Sequence, residues 1–191
     1  MQIHHFQTNQ HQNQPNPVLP ETNFYKKSVL SPALQSMLLD IEPQWHITAN
    51  FNRETSLRTG SAKLKTWASF IDRKLFGRNY YKKPNDQRLF FFAFPEIGSE
   101  SEFLHYHLLA KLPETRHQKF TELAEQIWLD EVKTGSLYVQ RIGNDESDLQ
   151  RVISYDLKDI WKRGNYDNFI ISSEFAPSPS ETSRAQQGTV Q

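Results

Sequence analysis

Two neighbouring apolar runs constrain the fold of this chain most. Arg88–Phe94 (RLFFFAF) and Phe103–Leu112 (FLHYHLLAKL) are short, rich in aromatic and aliphatic residues, and separated by a brief polar link. Each reads as a strand buried in a sheet, and the link fits a hairpin. The second run is unusual because His105 and His107 interrupt it. Successive strand residues point to opposite faces, so these two histidines share one face, while Tyr106, Leu108, Ala110 and Leu112 share the other.

The remaining elements follow from period. WHITANF (Trp45–Phe51) alternates, with Trp45, Ile47, Ala49 and Phe51 on one face of a strand. SAKLKTWASFIDRKLFG sets Leu64, Trp67, Phe70, Ile71 and Leu75 at helical spacing, and Gly77 can end that helix. KFTELAEQIWLDEV carries Phe120, Leu123, Ala124, Ile127 and Trp128 on one helical stripe. Gly135–Ile142 reads as a further strand and Ser147–Lys162 as a third helix with a Ser or Asp cap. The order β-α-β-β-α-β-α predicts an α+β fold, a central antiparallel sheet with helices packed on it.

Composition bounds the rest. The chain has 191 residues, 22 basic and 22 acidic, so a nucleic-acid role needs a local patch rather than bulk positive charge. It contains no cysteine, which excludes disulfides, thiolate metal sites and cysteine catalysis. No apolar run is long enough to span a bilayer, and the N-terminus lacks the apolar core of a signal peptide. These features predict a cytoplasmic protein without a membrane partner. Residues 1–30 are rich in Gln, Asn, His and Pro and are expected to form a disordered polar tail, although His4, His5 and His11 could take up metal adventitiously. Residues 31–176 form the expected domain, and residues 177–191 a second polar tail.

The histidine pair on one strand face suits a metal ion. A third ligand would be a carboxylate: Glu96 at the end of the preceding strand, or Glu100 or Glu102 in the link. Two imidazoles and a carboxylate leave open positions for water and substrate oxygens, and they favour Mg²⁺ or Mn²⁺.

A second group lies on the last helix. Arg151, Tyr155, Lys158 and Lys162 fall on one polar, basic stripe, while Leu149, Val152, Ile153, Leu157 and Ile160 fall on the buried side. Tyr155 is therefore no core tyrosine, and its basic neighbours would attract a phosphate. The stretch Lys63–Arg88 is also basic. Within it the loop-like GRNYYKKP offers Tyr80 and Tyr81 to stack on bases and Lys82 and Lys83 to hold phosphates.

Together, a strand-borne His-hydrophobic-His and, about fifty residues later, a helical Tyr-x-x-Lys resemble the HUH endonuclease superfamily, more narrowly its single-tyrosine rolling-circle replication initiators. WHITANFN, FLHYHLLAKL and ISYDLKDIWK would be the three motifs, the first matching loosely. The resemblance implies a Rep-like fold and selects Glu96 as the third metal ligand. It implies nicking and joining of single-stranded DNA at an exposed strand or hairpin origin, with Tyr155 as nucleophile and a 5′-phosphotyrosine intermediate. Lys158 would assist at the phosphate, with Arg151 and Lys162 as DNA contacts. No phosphate-binding loop is present, so unwinding would fall to a host helicase. Two other readings keep the same residues: a non-catalytic DNA-binding module, and a metal hydrolase that uses water. Tyr166 lies beyond the helix and is not expected to act as a second nucleophile.

Overall fold

The computed structural model describes residues 21–97, 103–158, 160 and 168–175. Both expected strands of the hairpin are present, β2 at Phe90–Ile97 and β3 at Leu104–Lys111, paired antiparallel. With β1 (Trp45–Asn50), β4 (Ser136–Arg141) and the two-residue β5 (Ile170–Ile171) they form one five-stranded antiparallel sheet, ordered β4-β1-β3-β2-β5. Four helices accompany it: α1 (Glu21–Ile41), α2 (Leu57–Phe76), α3 (His117–Glu131) and α4 (Glu146–Leu157). The architecture is α+β, as the periodicities predict.

Two layers of helices bury the two faces of the sheet. Helices α2 and α3 cover the face that carries Trp45, Ile47, Phe91, Tyr106 and Leu108. Trp67 and Trp128 are completely buried there. The indole N–H of Trp67 donates to the Ala124 carbonyl at 2.9 Å, and that of Trp128 to the Asn50 carbonyl at 3.2 Å. Each ring therefore buries its apolar body without leaving its one donor unsatisfied. Gly60 lets α2 approach β3 closely, since a Cβ there would lie 2.6 Å from Leu104 Cδ2. Ser56 caps α2 by accepting the Thr59 amide, and Gly77 ends the helix at φ 83°, a conformation that favours glycine.

The opposite face is covered by α1 and α4. Leu34 and Leu38 of α1 join Phe92, Phe94, Leu109, Ile142, Ile153, Leu157 and Ile160 in a second, smaller core. Helix α1 departs from the sequence expectation in two ways. It adds an element before the first strand, and it starts at Glu21, inside the segment assigned on composition to a tail ending at residue 30. The physical reason is the Leu34–Leu38 pair, four residues apart and thus on one helical face, which docks beside α4. Pro32 lies within the helix. Helix α4 ends at Leu157 rather than Lys162, and the C-terminal segment expected to be a tail lies outside the described residues. Among the described residues, no helix is long and apolar enough to cross a membrane.

Candidate metal and nucleophile site

The sheet register brings the predicted ligands together. Glu96 stands directly across from His105, and Phe94 across from His107, so Glu96 is the diagonal neighbour of His107 on the same face. Glu96 Oε2 lies 3.0 Å from His107 Nε2 and 3.5 Å from His105 Nε2. Two ligands at about 2.1 Å from one octahedral ion stand about 3 Å apart, so this spacing fits a shared cation. Glu100 and Glu102, the other candidates, lie outside the described residues.

The far nitrogens of both rings are also engaged. His105 Nδ1 faces the Phe103 carbonyl at 3.4 Å, and His107 Nδ1 faces the Thr48 hydroxyl at 3.3 Å. A carbonyl can only accept, so it draws the His105 proton to Nδ1 and leaves a lone pair on Nε2. That lone pair points at a carboxylate oxygen, an arrangement that a proton or a cation between them would stabilise. Such partners fix ligand tautomer and ring plane in metal sites. His107 is buried, and this pushes its pKa down to about 4; His105, His46 and Lys158 push the same way, and Asp156 opposes them. At neutral pH its imidazole is uncharged and able to ligate.

Tyr155 completes the constellation. Its ring meets His107 edge to face at 5.5 Å, and the Lys158 ammonium sits 3.7 Å from the centre of the tyrosine ring. The residue remains 47% exposed. Ile153 and Leu157 dock the helix beneath it, as its stripe predicts, and Ile160 joins the same core just beyond the helix end. Arg151 is exposed and pairs with Asp148 one turn away. Lys162 and Tyr166 lie outside the described residues.

The structure does not bring the tyrosine-lysine loop to this site. Tyr80, Tyr81 and Lys82 form a short 3₁₀ turn after α2, with the two rings edge to face at 6.0 Å and Lys82 Nζ 5.8 Å from the Tyr81 ring; Lys83 follows directly. Helix α2 covers the opposite face of the sheet. The loop also precedes β2 at Phe90, whereas Glu96 is near that strand's other end. Six residues of strand separate those ends by about 20 Å.

Three residues of the site were not singled out from the sequence. His46 and Thr48 occupy the face of β1 opposite Trp45 and Ile47 and lie beside β3, with Thr48 directly across from His107. The His46 ring stacks on that of His107 at 5.6 Å with a 10° interplanar angle. Asp156 lies on the buried side of α4, its side chain wholly inaccessible, and accepts from His46 Nε2 at 3.0 Å. The signals were present. His46 and Thr48 complete the β1 alternation, and Asp156 is a carboxylate set among Ile153, Leu157 and Ile160.

No family model matches the chain, and no curated protein matches it. A solved structure with a similar course is the crystal structure of the hypothetical protein ORF119 from Sulfolobus islandicus rod-shaped virus 1, at 16% identity over 67% of this chain and 91% of that one, with a TM-score of 0.44.

Proposed function

We propose that this protein nicks and rejoins single-stranded DNA through a covalent link to Tyr155, beside a divalent ion held by His105, His107 and Glu96. The observation that supports the reading is convergence. A half-exposed tyrosine on α4 packs 5.5 Å from an imidazole of β3 whose Nε2 lies 3.0 Å from a carboxylate of β2. A nucleophile, a cation and an open ligand set in one place are the parts that phosphoryl transfer needs.

Mg²⁺ or Mn²⁺ bound by these three residues would draw charge from a non-bridging oxygen of the scissile phosphate. The Tyr155 oxygen attacks phosphorus and gives up its proton to water. The bond from phosphorus to the 3′ oxygen breaks, and that oxygen takes up a proton from water and departs as a 3′-hydroxyl. The 5′ end stays on Tyr155 as a phosphodiester. Lys158, already against the tyrosine ring, offsets the charge that grows on the phosphate. Attack by a 3′-hydroxyl on the phosphotyrosine reverses the step and rejoins strands, with no nucleotide cofactor. This chemistry serves initiation of rolling-circle replication or a related mobile-element process in the cytoplasm, with a host helicase opening the duplex.

The test is incubation of the full chain with a pool of single-stranded oligonucleotides and Mn²⁺, followed by denaturing electrophoresis. Wild type should form a covalent protein–DNA adduct and Tyr155→Phe none. Cleavage without adduct in both would make water the nucleophile and the protein a metal hydrolase. DNA binding without cleavage in both would leave a non-catalytic binding module.

A further inference from the structure

Asp156 is the least expected residue of the α4 core. Its side chain is wholly inaccessible, on the side of the helix that docks with Leu157 and Ile160. A buried carboxylate is costly unless paired. It has one partner among the described residues, His46 Nε2, and its second oxygen Oδ2 is buried without any. An apolar side chain would fill the same place more cheaply, so packing alone does not account for it.

What the pair touches is informative. Asp156 follows Tyr155 in the chain, so whatever fixes Asp156 fixes the backbone from which the tyrosine projects. His46 is in β1, 110 residues away in sequence from Asp156. The Tyr155 ring meets His46 at 6.3 Å and His107 at 5.5 Å, edge on in both cases. His46 in turn lies parallel to His107. One hydrogen bond therefore joins the helix of the tyrosine to the strand beside the ligand imidazole.

We propose that the Asp156–His46 hydrogen bond is a positioning clamp, which registers α4 on β1 so that Tyr155 stays against His107. The inference rests on the reading of Tyr155 as nucleophile and His107 as metal ligand. In the clamp His46 Nε2–H donates and the carboxylate accepts. In this reading neither residue is the nucleophile or one of the three metal ligands. Ring contacts hold the Tyr155 side chain, and they can slide when the helix shifts. A misplacement of about 1 Å at a reacting group costs about 100-fold in rate.

Asp156→Leu removes the clamp and suits its apolar surroundings; Asp156→Asn keeps an oxygen that can accept from His46. The contact itself is read without catalysis, as a nuclear Overhauser effect between the Tyr155 and His107 rings in the presence of Mg²⁺. It should be present in wild type and Asp156→Asn and lost in Asp156→Leu. With saturating Mn²⁺, the rate of adduct formation should fall about 100-fold in Asp156→Leu and recover most of the loss in Asp156→Asn. Mn²⁺ affinity should stay near the wild-type value in both variants, and the melting temperature of Asp156→Leu should be no lower than wild type. Retention of the ring contact in Asp156→Leu would overturn the clamp. So would a tenfold or larger loss of Mn²⁺ affinity in both variants, because Asp156 would then be a ligand. Failure of wild type to form any adduct would count against Tyr155 as nucleophile, and the ring contact would still decide the clamp.

Discussion

Each face of the sheet buries an ionisable group, Asp72 under α2 and His107 under α4, and the two are used differently. Asp72 accepts the Leu89 amide at 2.9 Å, tying α2 to the start of β2. Burial pushes its carboxyl up to about 6, against the pull of the Leu89 hydrogen bond and Arg88. It is a latch with a backbone partner, surrounded by a large apolar core. His107 is held among Glu96, His105, His46, Asp156 and Lys158, and burial drives its pKa the other way. Asp72, paired with one backbone amide far from the candidate site, serves structure. Several ionisable groups around a shared point, more than the hydrogen bonds between them need, make a candidate site for a cation.

The largest expected contrast is between stability and activity. Trp67→Ala, on the α2–α3 face, should cost roughly 3–5 kcal/mol in chemical denaturation, because the ring is fully buried and its N–H is paired. Tyr155→Phe, on the other face, should leave the denaturation midpoint unchanged while abolishing the adduct. A stability loss in Tyr155→Phe as large as that in Trp67→Ala would erase the distinction between the faces.

Metal affinity sharpens it next. His105→Ala and His107→Ala should each weaken Mn²⁺ binding at least tenfold in calorimetric titration. Thr48→Val removes the hydroxyl opposite His107 Nδ1 and should weaken it about tenfold. These titrations need His4, His5 and His11 replaced as well, so that the N-terminal histidines do not mask the result. Unchanged affinity in both histidine variants would remove the site.

Much of this was legible in the sequence, for identifiable reasons. Strand β1 and helices α2 and α3 follow from strong two-residue or 3.6-residue periods, as at Trp45-Ile47-Ala49 and Leu64-Trp67-Ile71, and β2 and β3 from short apolar runs joined by a brief polar link. Glu96, His105 and His107 were legible because a hairpin converts nearness in sequence into a shared face. The His46–Asp156 bond was not, since it spans 110 residues and depends on how α4 lands on the sheet. Helix α1 escaped because a Gln- and Pro-rich approach and Pro32 mask the Leu34–Leu38 pair. The location of the Lys82–Lys83 loop escaped too, because local sequence does not say which face of the sheet α2 covers.

Acid sensitivity separates the faces more finely. His107 titrates near 4 when folded and near 6.5 when unfolded, so the unfolded chain binds more protons between those values and stability falls with acid there. Asp72 titrates near 6 folded and near 3.8 unfolded, so its contribution is present below 3.8 and lost as pH rises through 6. The two slopes oppose one another, each worth at most roughly 3 kcal/mol. In metal-free protein, Asp72→Asn should steepen the loss of stability from pH 6.5 to 4, and His107→Gln should flatten or reverse it. Denaturation midpoints across that range decide the matter, and equal slopes in the two variants would contradict it.

The smallest effect should come from the basic loop. Replacing Lys82 and Lys83 with alanine should lower the salt slope of binding to a long single strand by roughly one to two units. Adduct formation on an oligonucleotide too short to reach about 20 Å from the histidines should be unaffected. Equal losses on short and long strands would put the loop in the site.

The division of labour between the faces is tested most directly by locating the ion. Added in small amounts to isotope-labelled full chain, Mn²⁺ broadens the nuclear resonances of groups near it. His105, His107, Thr48 and Tyr155 should broaden first, while Trp67, Phe91 and Phe120 on the opposite face stay sharp. Broadening confined to His4, His5 and His11, or centred on the α2–α3 face, would contradict it.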